Sequence, residues 1–340
     1  MAVMTQPQSV PNPQVLCFGE ALVDRLGPQA DYLGGAPANG ACALARLGTS
    51  VAWLGRLGND AIGRRFAELF AARGVNTAGL QWDAERPSRV VLVQRDATGE
   101  RAFAGFAGDR GLGFADQAVD WRALAAVVEP AFPSAQWLLV GTLALASPAS
   151  SEALTWLLQW AKTAGVALAV DVNWRPTFWD PASPPESGPP PPAIAQIRPL
   201  LEQAALIKCA AEEARWLFGG QDPAVISAAL RQRPMVVVSD GANPLRWCWG
   251  GQAGSLEAFA VPVRDTTGAG DAFTAGLLHR LCAQPELMQS DLIGASSAVA
   301  VREMMRFASA CGALVCQGEG AIDPQPTEAA VGAFLNGRPG

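Results

Sequence analysis

The stretch DTTGAGDAFTAGLLHR, residues 265–280, decides how this chain is read. From Asp271 onward it is apolar at helical spacing, so a helix starts beside Gly268, Ala269 and Gly270. The first N–H groups of a helix have no internal partner and carry partial positive charge. Glycines let an anion approach those groups with no side chain in the way. Asp271, directly behind them, has two readings: it caps the helix, or it takes a proton beside a bound phosphate. A cap accounts for the aspartate alone and leaves Thr266, Thr267 and two glycines unexplained. A carboxylate beside an anion cradle suits phosphoryl transfer to a hydroxyl.

Composition excludes much other chemistry. The 340 residues carry a net charge of −6, and Lys162 and Lys208 are the only lysines. No basic run appears, which argues against nucleic acid as a partner. The N-terminus, MAVMTQPQSVPNPQ, has neither a cationic region nor an apolar core and does not read as a signal peptide. The longest apolar stretch, WLLVGTLALA (137–146), is too short to span a bilayer. Seven cysteines form no CxxC pair, which points to a reduced, cytoplasmic protein without a zinc site. His279 is the only histidine and sits within the apolar helical stretch, where it reads as a helix-face residue rather than a base. There is no GxxxxGK[ST], and the dinucleotide fingerprint fails because its last glycine would fall on Phe273.

Short apolar runs alternate with amphipathic stretches. VLCFG (15–19), VAWLG (51–55), WLLVG (137–141), VALAVDV (166–172), ALIK (205–208) and MVVVSDG (235–241) read as strands, each trailed by a helical segment. This implies an α/β fold with a mostly parallel central sheet flanked by helices. SRVVLVQRDATGERAFAGF (88–106) breaks the pattern and reads as a hairpin turning at 96–99, either a flap over a site or an edge hairpin without a role. The proline-dense 175–199 reads as an exposed loop. No repeat or linker divides the chain.

A second constellation lies near the N-terminus. GEALVD (19–24) puts Glu20 and Asp24 just after the first strand, and LGGAPAN (33–39) offers Gly34, Gly35 and Asn39 at a turn entering a helix. A carboxylate, an amide and open backbone are what a polyol needs. Taken separately, they are also what a strand end, a turn and an N-cap look like.

GGAPANGACALARLGTSVAWLGRLGNDAIG (34–63) and DTTGAGDAF (265–273) together resemble the two signatures of the PfkB, or ribokinase-like, family of carbohydrate kinases. The resemblance implies a single ribokinase-like domain over 14–330, with a small β lid formed by 22–34 and 86–112, after a disordered segment 1–13. It makes Asp271 the catalytic base and Gly268, Ala269 and Gly270 the anion hole. Asp24, Gly34, Gly35 and Asn39 become sugar contacts, with Arg175 beside them. Ser239 and Gly241 become the nucleotide loop, with the adenine toward Ser309 and Gly312, and Lys208 and Thr267 on the same side. Asp265 resembles a K⁺ site found in some members, and Glu213 an indirect, water-mediated tie to Mg²⁺. ATP and Mg²⁺ are the implied cofactors, a sugar and ATP the implied partners, and a homodimer is compatible with the family.

Within the family, GEALVD and DVNWRPTFW (171–179) look most like fructokinases, which implies phosphorylation of the 6-hydroxyl of D-fructose. 2-Keto-3-deoxygluconate kinases share the second pattern, with Arg175 then serving a sugar acid. Two departures stand out. The family's Asn-x-x-Glu reads AAEE, with Ala210 in place of the asparagine, and GDRGLGFAD (108–116) lacks the sequence usual for fructokinases after the lid. A catalytically silent, kinase-like scaffold is the reading from another class. The intact Gly-x-Gly-Asp argues against it, and a purely sugar-binding module would have no use for an anion cradle.

Overall fold

A computed structural model describes residues 12–27, 30–95, 101–288 and 295–337. Most of the segment 1–13, and the hairpin turn at 96–99, lie outside the described residues. The strands in chain order are β1 (Val15–Phe18), β2 (Leu22–Leu26), β3 (Ala30–Gly34), β4 (Val51–Gly58), β5 (Leu80–Asp83), β6 (Arg89–Arg95), β7 (Arg101–Ala107), β8 (Trp137–Val140), β9 (Ala167–Asp171), β10 (Leu206–Ala210), β11 (Met235–Ser239), β12 (Leu245–Trp249) and β13 (Gln252–Leu256).

Nine of them form one sheet in the order β13-β12-β11-β10-β9-β8-β1-β4-β5, parallel from β11 to β5. β1 shows why the sequence reads this way. Val15 and Cys17 enter the core on one face, Leu16 and Phe18 the core on the other. A strand buried on both faces has no polar side to alternate with. The helices Ala36–Leu47, Ala61–Arg73 and Ala269–Ala283 cover the first face, and Trp121–Ala131, Pro148–Ala164 and Pro191–Leu201 the second. Strand order reverses between β1 and β8, and ligands of open α/β sheets bind outside the carboxyl ends at such a point. β3, β2, β6 and β7 form a separate four-stranded sheet. Its apolar underside, Leu22, Val91 and Val93, packs with Phe103, Phe106 and Phe178.

Two expectations are corrected. β11 is followed not by a helix but by the antiparallel β12 and β13. Gly250 and Gly251 make their turn, both at positive φ (55° and 78°), which favours glycine. The proline-dense 175–199 is not one exposed loop. It contains the helical turn Pro176–Trp179 and the start of the helix Pro191–Leu201, both with proline in the first turn. A proline lacks only an N–H that has no partner there anyway, so a run of prolines can open a helix. Among the described residues no helix is long and apolar enough to cross a membrane.

Candidate active site

The helix Ala269–Ala283 begins at Gly268, whose φ is 78°. A Cβ there would lie 2.5 Å from the Ala321 side chain and 2.7 Å from its Cα, so only glycine fits. A Cβ on Gly270 would sit 2.8 Å from Lys208 Nζ, which places that ammonium over the first turn of the helix. Lys208 Nζ donates to Asp171 Oδ1 at 3.0 Å, and Thr274 Oγ1 donates to Asp171 Oδ2 at 2.8 Å. Both oxygens of the buried Asp171 are therefore taken. Burial works against the Lys208 charge, but Asp171, Glu213 and Asp271 outweigh it and hold the pKa above its ordinary value.

Asp271 stands in the first turn of the same helix, and its Oδ2 accepts from Asn39 Nδ2 at 2.8 Å. Desolvation, with the negative charge of Asp171, raises its carboxyl from 3.8 to about 6, against the opposing pull of Asn39, Lys208 and Arg175. A carboxylate shifted this way is a better proton acceptor while still ionised at neutral pH.

Asn39 arrives from the other constellation. Gly35 turns the chain into the helix Ala36–Leu47 at φ 100°, and a Cβ there would lie 2.7 Å from the Glu20 carbonyl oxygen. Ala36 N donates to Glu20 Oε1 at 3.1 Å. Glu20 is buried, and desolvation above all pushes its pKa up to about 8. Asn39 Oδ1 is buried with no hydrogen-bond partner among the described residues. It and Asp24 Oδ2 lie 3.9 and 3.6 Å from the place a Gly34 Cβ would occupy, so two acceptors converge where Gly34 carries no side chain.

These groups line one cleft of about 460 Å³ between the two sheets. The structure brings Asp24, Gly35, Asn39, Arg175, Lys208, Thr267, Gly268, Gly270 and Asp271 into its wall. Gly34, Ala269, Glu213, Ser239, Gly241, Asp265, Ser309 and Gly312 are not part of that lining. Arg175 is exposed, and its guanidinium donates to the Trp174 carbonyl. Glu213 is buried, its oxygens accepting from Trp174 N at 2.7 Å and Ala210 N at 2.8 Å. Asp265 Oδ1 accepts from Thr267 N and Oγ1, and its Oδ2 from Gly320 N, tying the loop before the helix to the segment after 315. Ser239 Oγ donates to the Cys209 carbonyl at 3.4 Å, at the carboxyl end of β11, and Gly241 follows at φ 58°. Gly312 is buried where a Cβ would meet the Ala269 carbonyl oxygen at 2.9 Å, with Ser309 half-buried one turn earlier.

His279 sits apart from this cleft, its Nδ1 2.8 Å from Thr49 Oγ1 and its ring stacked on Phe307, a helix-face packing role. A larger groove of about 750 Å³ between Pro148–Ala164 and Pro191–Leu201 has Lys162 as the sole charged residue of its lining and no carboxylate or histidine. Sequence reasoning passed over Asp171, although it opens the quoted DVNWRPTFW. An acid ending a fully apolar strand was the available signal. Arg89, in the four-stranded sheet, is buried against Asp116. Arg110 is exposed, and the backbones of Arg95 and Arg101 are register partners beside the hairpin turn.

The model of the pfkB family carbohydrate kinases matches residues 13–328. A probable fructokinase-6 of Arabidopsis thaliana, chloroplastic, is 31% identical over 336 residues, covering 94% of this chain and 82% of that protein. The fructokinase of Xylella fastidiosa with bound ATP superposes with a TM-score of 0.81 at 28% identity, covering 95% of this chain and 98% of that one. The fructokinase of Vibrio cholerae O395 in its fructose-, ADP- and calcium-bound form gives 0.80 at 30% identity, covering 95% and 99%. The chain belongs to the pfkB family of carbohydrate kinases.

Proposed function

We propose that this enzyme transfers the γ-phosphoryl group of ATP to the 6-hydroxyl of D-fructose, with Asp271 as the base. The observation that carries the reading is the Asn39–Asp271 hydrogen bond, which joins a polyol-binding wall to an anion cradle. Relatives whose names and ligands are fructokinase, fructose and ATP support the substrate pair.

In this reading Asp24 and Asn39 Oδ1 accept from sugar hydroxyls, and the glycines at 34 and 35 make room for the ring. Asn39 occupies Asp271 Oδ2 and leaves Oδ1 for the proton of the attacking hydroxyl. The amides at 268–270 and the Lys208 ammonium face the charge that builds on the phosphoryl oxygens. A phosphate fits there because a side chain at Gly270 would fill the space beside Lys208. Ser239, Gly241, Ser309 and Gly312 form the nucleotide side. Among the described residues no group of three or more His, Cys, Asp or Glu could hold a metal by itself. Glu213, each oxygen already accepting one backbone N–H, suits a water-mediated tie to the Mg²⁺ that accompanies ATP. When bound, Mg²⁺ neutralises phosphate charge. Ala210 takes nothing from that tie except the asparagine's own contact. Asp265 is the candidate for K⁺. Residues 14–330 act as one kinase domain in the cytoplasm, with β2, β3, β6 and β7 as the lid.

One observation favours a second substrate. Arg175 is exposed in the cleft wall and forms no ion pair among the described residues, which suits the carboxylate of 2-keto-3-deoxygluconate. ATP turnover measured across fructose, 2-keto-3-deoxygluconate, ribose, glucose and adenosine separates the readings. Fructose gives the highest kcat/KM if the proposal holds, and no turnover with any of the five would leave the scaffold reading.

A further inference from the structure

Arg89 opens β6, where that strand pairs with β2 at Leu22. An arginine on a small covering sheet ordinarily sends its head group to water. This one is 4% exposed. Its Nε donates to Asp116 Oδ2 at 2.9 Å and its Nη2 to Oδ1 at 3.2 Å. The rings of Phe114, Phe178 and Phe106 lie 4.5, 4.7 and 5.1 Å from its guanidinium carbon. A planar guanidinium can face rings while its in-plane N–H groups grip a carboxylate, and an ammonium cannot do both.

The members of this cage come from three parts of the fold. Arg89 and Phe106 belong to the four-stranded sheet. Phe114 and Asp116 belong to the segment entering the short turn Ala115–Gln117. That turn is fixed to the main body, since Ser150 Oγ donates to the Asp116 carbonyl at 2.6 Å and Arg56 Nη1 to the Ala118 carbonyl at 2.9 Å. Phe178 belongs to the helical turn directly after Arg175, and it lines the cleft. Glu20 lines both the cleft and the small cavity beside Arg89 and Asp116. Phe114 and Asp116 lie in the very stretch, 108–116, where the sequence leaves the usual fructokinase pattern. A buried ion pair is seldom the most stabilising way to fill such space.

We propose that Arg89 is a positioning residue of the cleft. It sets how the four-stranded sheet, which carries Asp24, stands against Asn39 and Asp271, and through Phe178 it sets the wall that carries Arg175. The proposal rests on reading the cleft as the sugar site. None of the residues assigned to the nucleotide side belongs to the cage, so the effect falls on the sugar.

The test uses the full chain with Arg89→Lys and, separately, the double substitution Arg89→Met with Asp116→Leu. The double variant removes both charges together, and apolar replacement of a buried pair generally leaves the fold as stable as before. Four quantities are read: KM for fructose, KM for ATP, Tm, and amide hydrogen exchange in β6 and β7. Both variants are expected to raise the fructose KM about tenfold or more. The ATP KM should stay within about twofold, and exchange in β6 and β7 should quicken while the main sheet keeps its protection. An unchanged fructose KM, an equal rise in both KM values, or wild-type behaviour of the double variant would overturn the proposal. Exchange needs no sugar. A wild-type enzyme that turns over no fructose therefore sinks the functional reading, while unchanged exchange in β6 and β7 sinks the role of Arg89.

Discussion

Asn39 Nδ2 donates to Asp271 Oδ2 across 2.8 Å, linking two residues 232 positions apart in the chain. Each stands in the first turn of its helix, so the positive ends of two helices meet at one carboxylate. One side of that meeting point offers acceptors for hydroxyls, and the other offers N–H groups and an ammonium for a phosphate. On the proposed reading, a sugar hydroxyl held at this point would have Asp271 to take its proton and a phosphate on the cradle to attack.

Asp271→Asn should lower kcat by about 10²–10⁴-fold while ATP still binds. Stability should move the other way. The folded pKa of Asp271, about 6, lies above its ordinary 3.8, so the ionised form costs the folded state free energy at neutral pH. The variant is therefore expected to melt no lower than wild type at pH 7, with any advantage fading as pH falls through the range between those two values. Thermal melts at several pH values, beside a coupled assay, check both parts. A variant keeping more than about a tenth of wild-type kcat would mean that Asp271 is not the base.

The pH–rate profile should lose activity as pH falls below about 6, where Asp271 takes up a proton. Asp171 raises that pKa and the Asn39 hydrogen bond lowers it. Asp171→Asn should therefore move the acidic limb to lower pH, and Asn39→Ala should move it to higher pH. Limbs that coincide in all three proteins would mean that another group controls the rate.

Asp24→Ala should weaken fructose far more than ATP. Hydrogen bonds to a charged group contribute roughly 1.5–3 kcal/mol each, so losing one costs about tenfold or more in affinity. Separate titrations of the two ligands measure this, and equal weakening of both would assign Asp24 to the frame of the site.

The two cradle glycines should fail differently. At Gly270 an added methyl meets the flexible end of Lys208, which can shift, so Gly270→Ala should fold and lose kcat. At Gly268 it meets the Ala321 backbone on a residue at positive φ, so Gly268→Ala should lower Tm as well. Equal Tm values for the two would contradict this account of the turn.

The parts of the fold and site that the sequence disclosed were local ones. Gly268, Gly270 and Asp271 fall within four residues, and the double-sided burial of β1 is visible as an unbroken apolar run. What remained hidden depends on which strands are neighbours. Asp171 and Lys208 are register partners across β9 and β10, a pairing no periodicity specifies. The cage around Arg89 draws residues from four segments, and each looked ordinary in its own. The prolines of 175–199 misled because composition cannot separate a proline that breaks a helix from one that begins it. The Gly250-Gly251 turn had a hairpin signal that the expected strand–helix alternation obscured.

Identifying the product separates the two sugars and the hydroxyl that is phosphorylated. Enzyme, ATP and Mg²⁺ are incubated with equal fructose and 2-keto-3-deoxygluconate, and the phosphorylated sugar is assigned by phosphorus NMR, with kcat/KM measured for each sugar separately. Fructose 6-phosphate is expected as the main product, formed with the higher kcat/KM. Phosphate on another fructose hydroxyl, or a keto acid preferred tenfold or more, would contradict it.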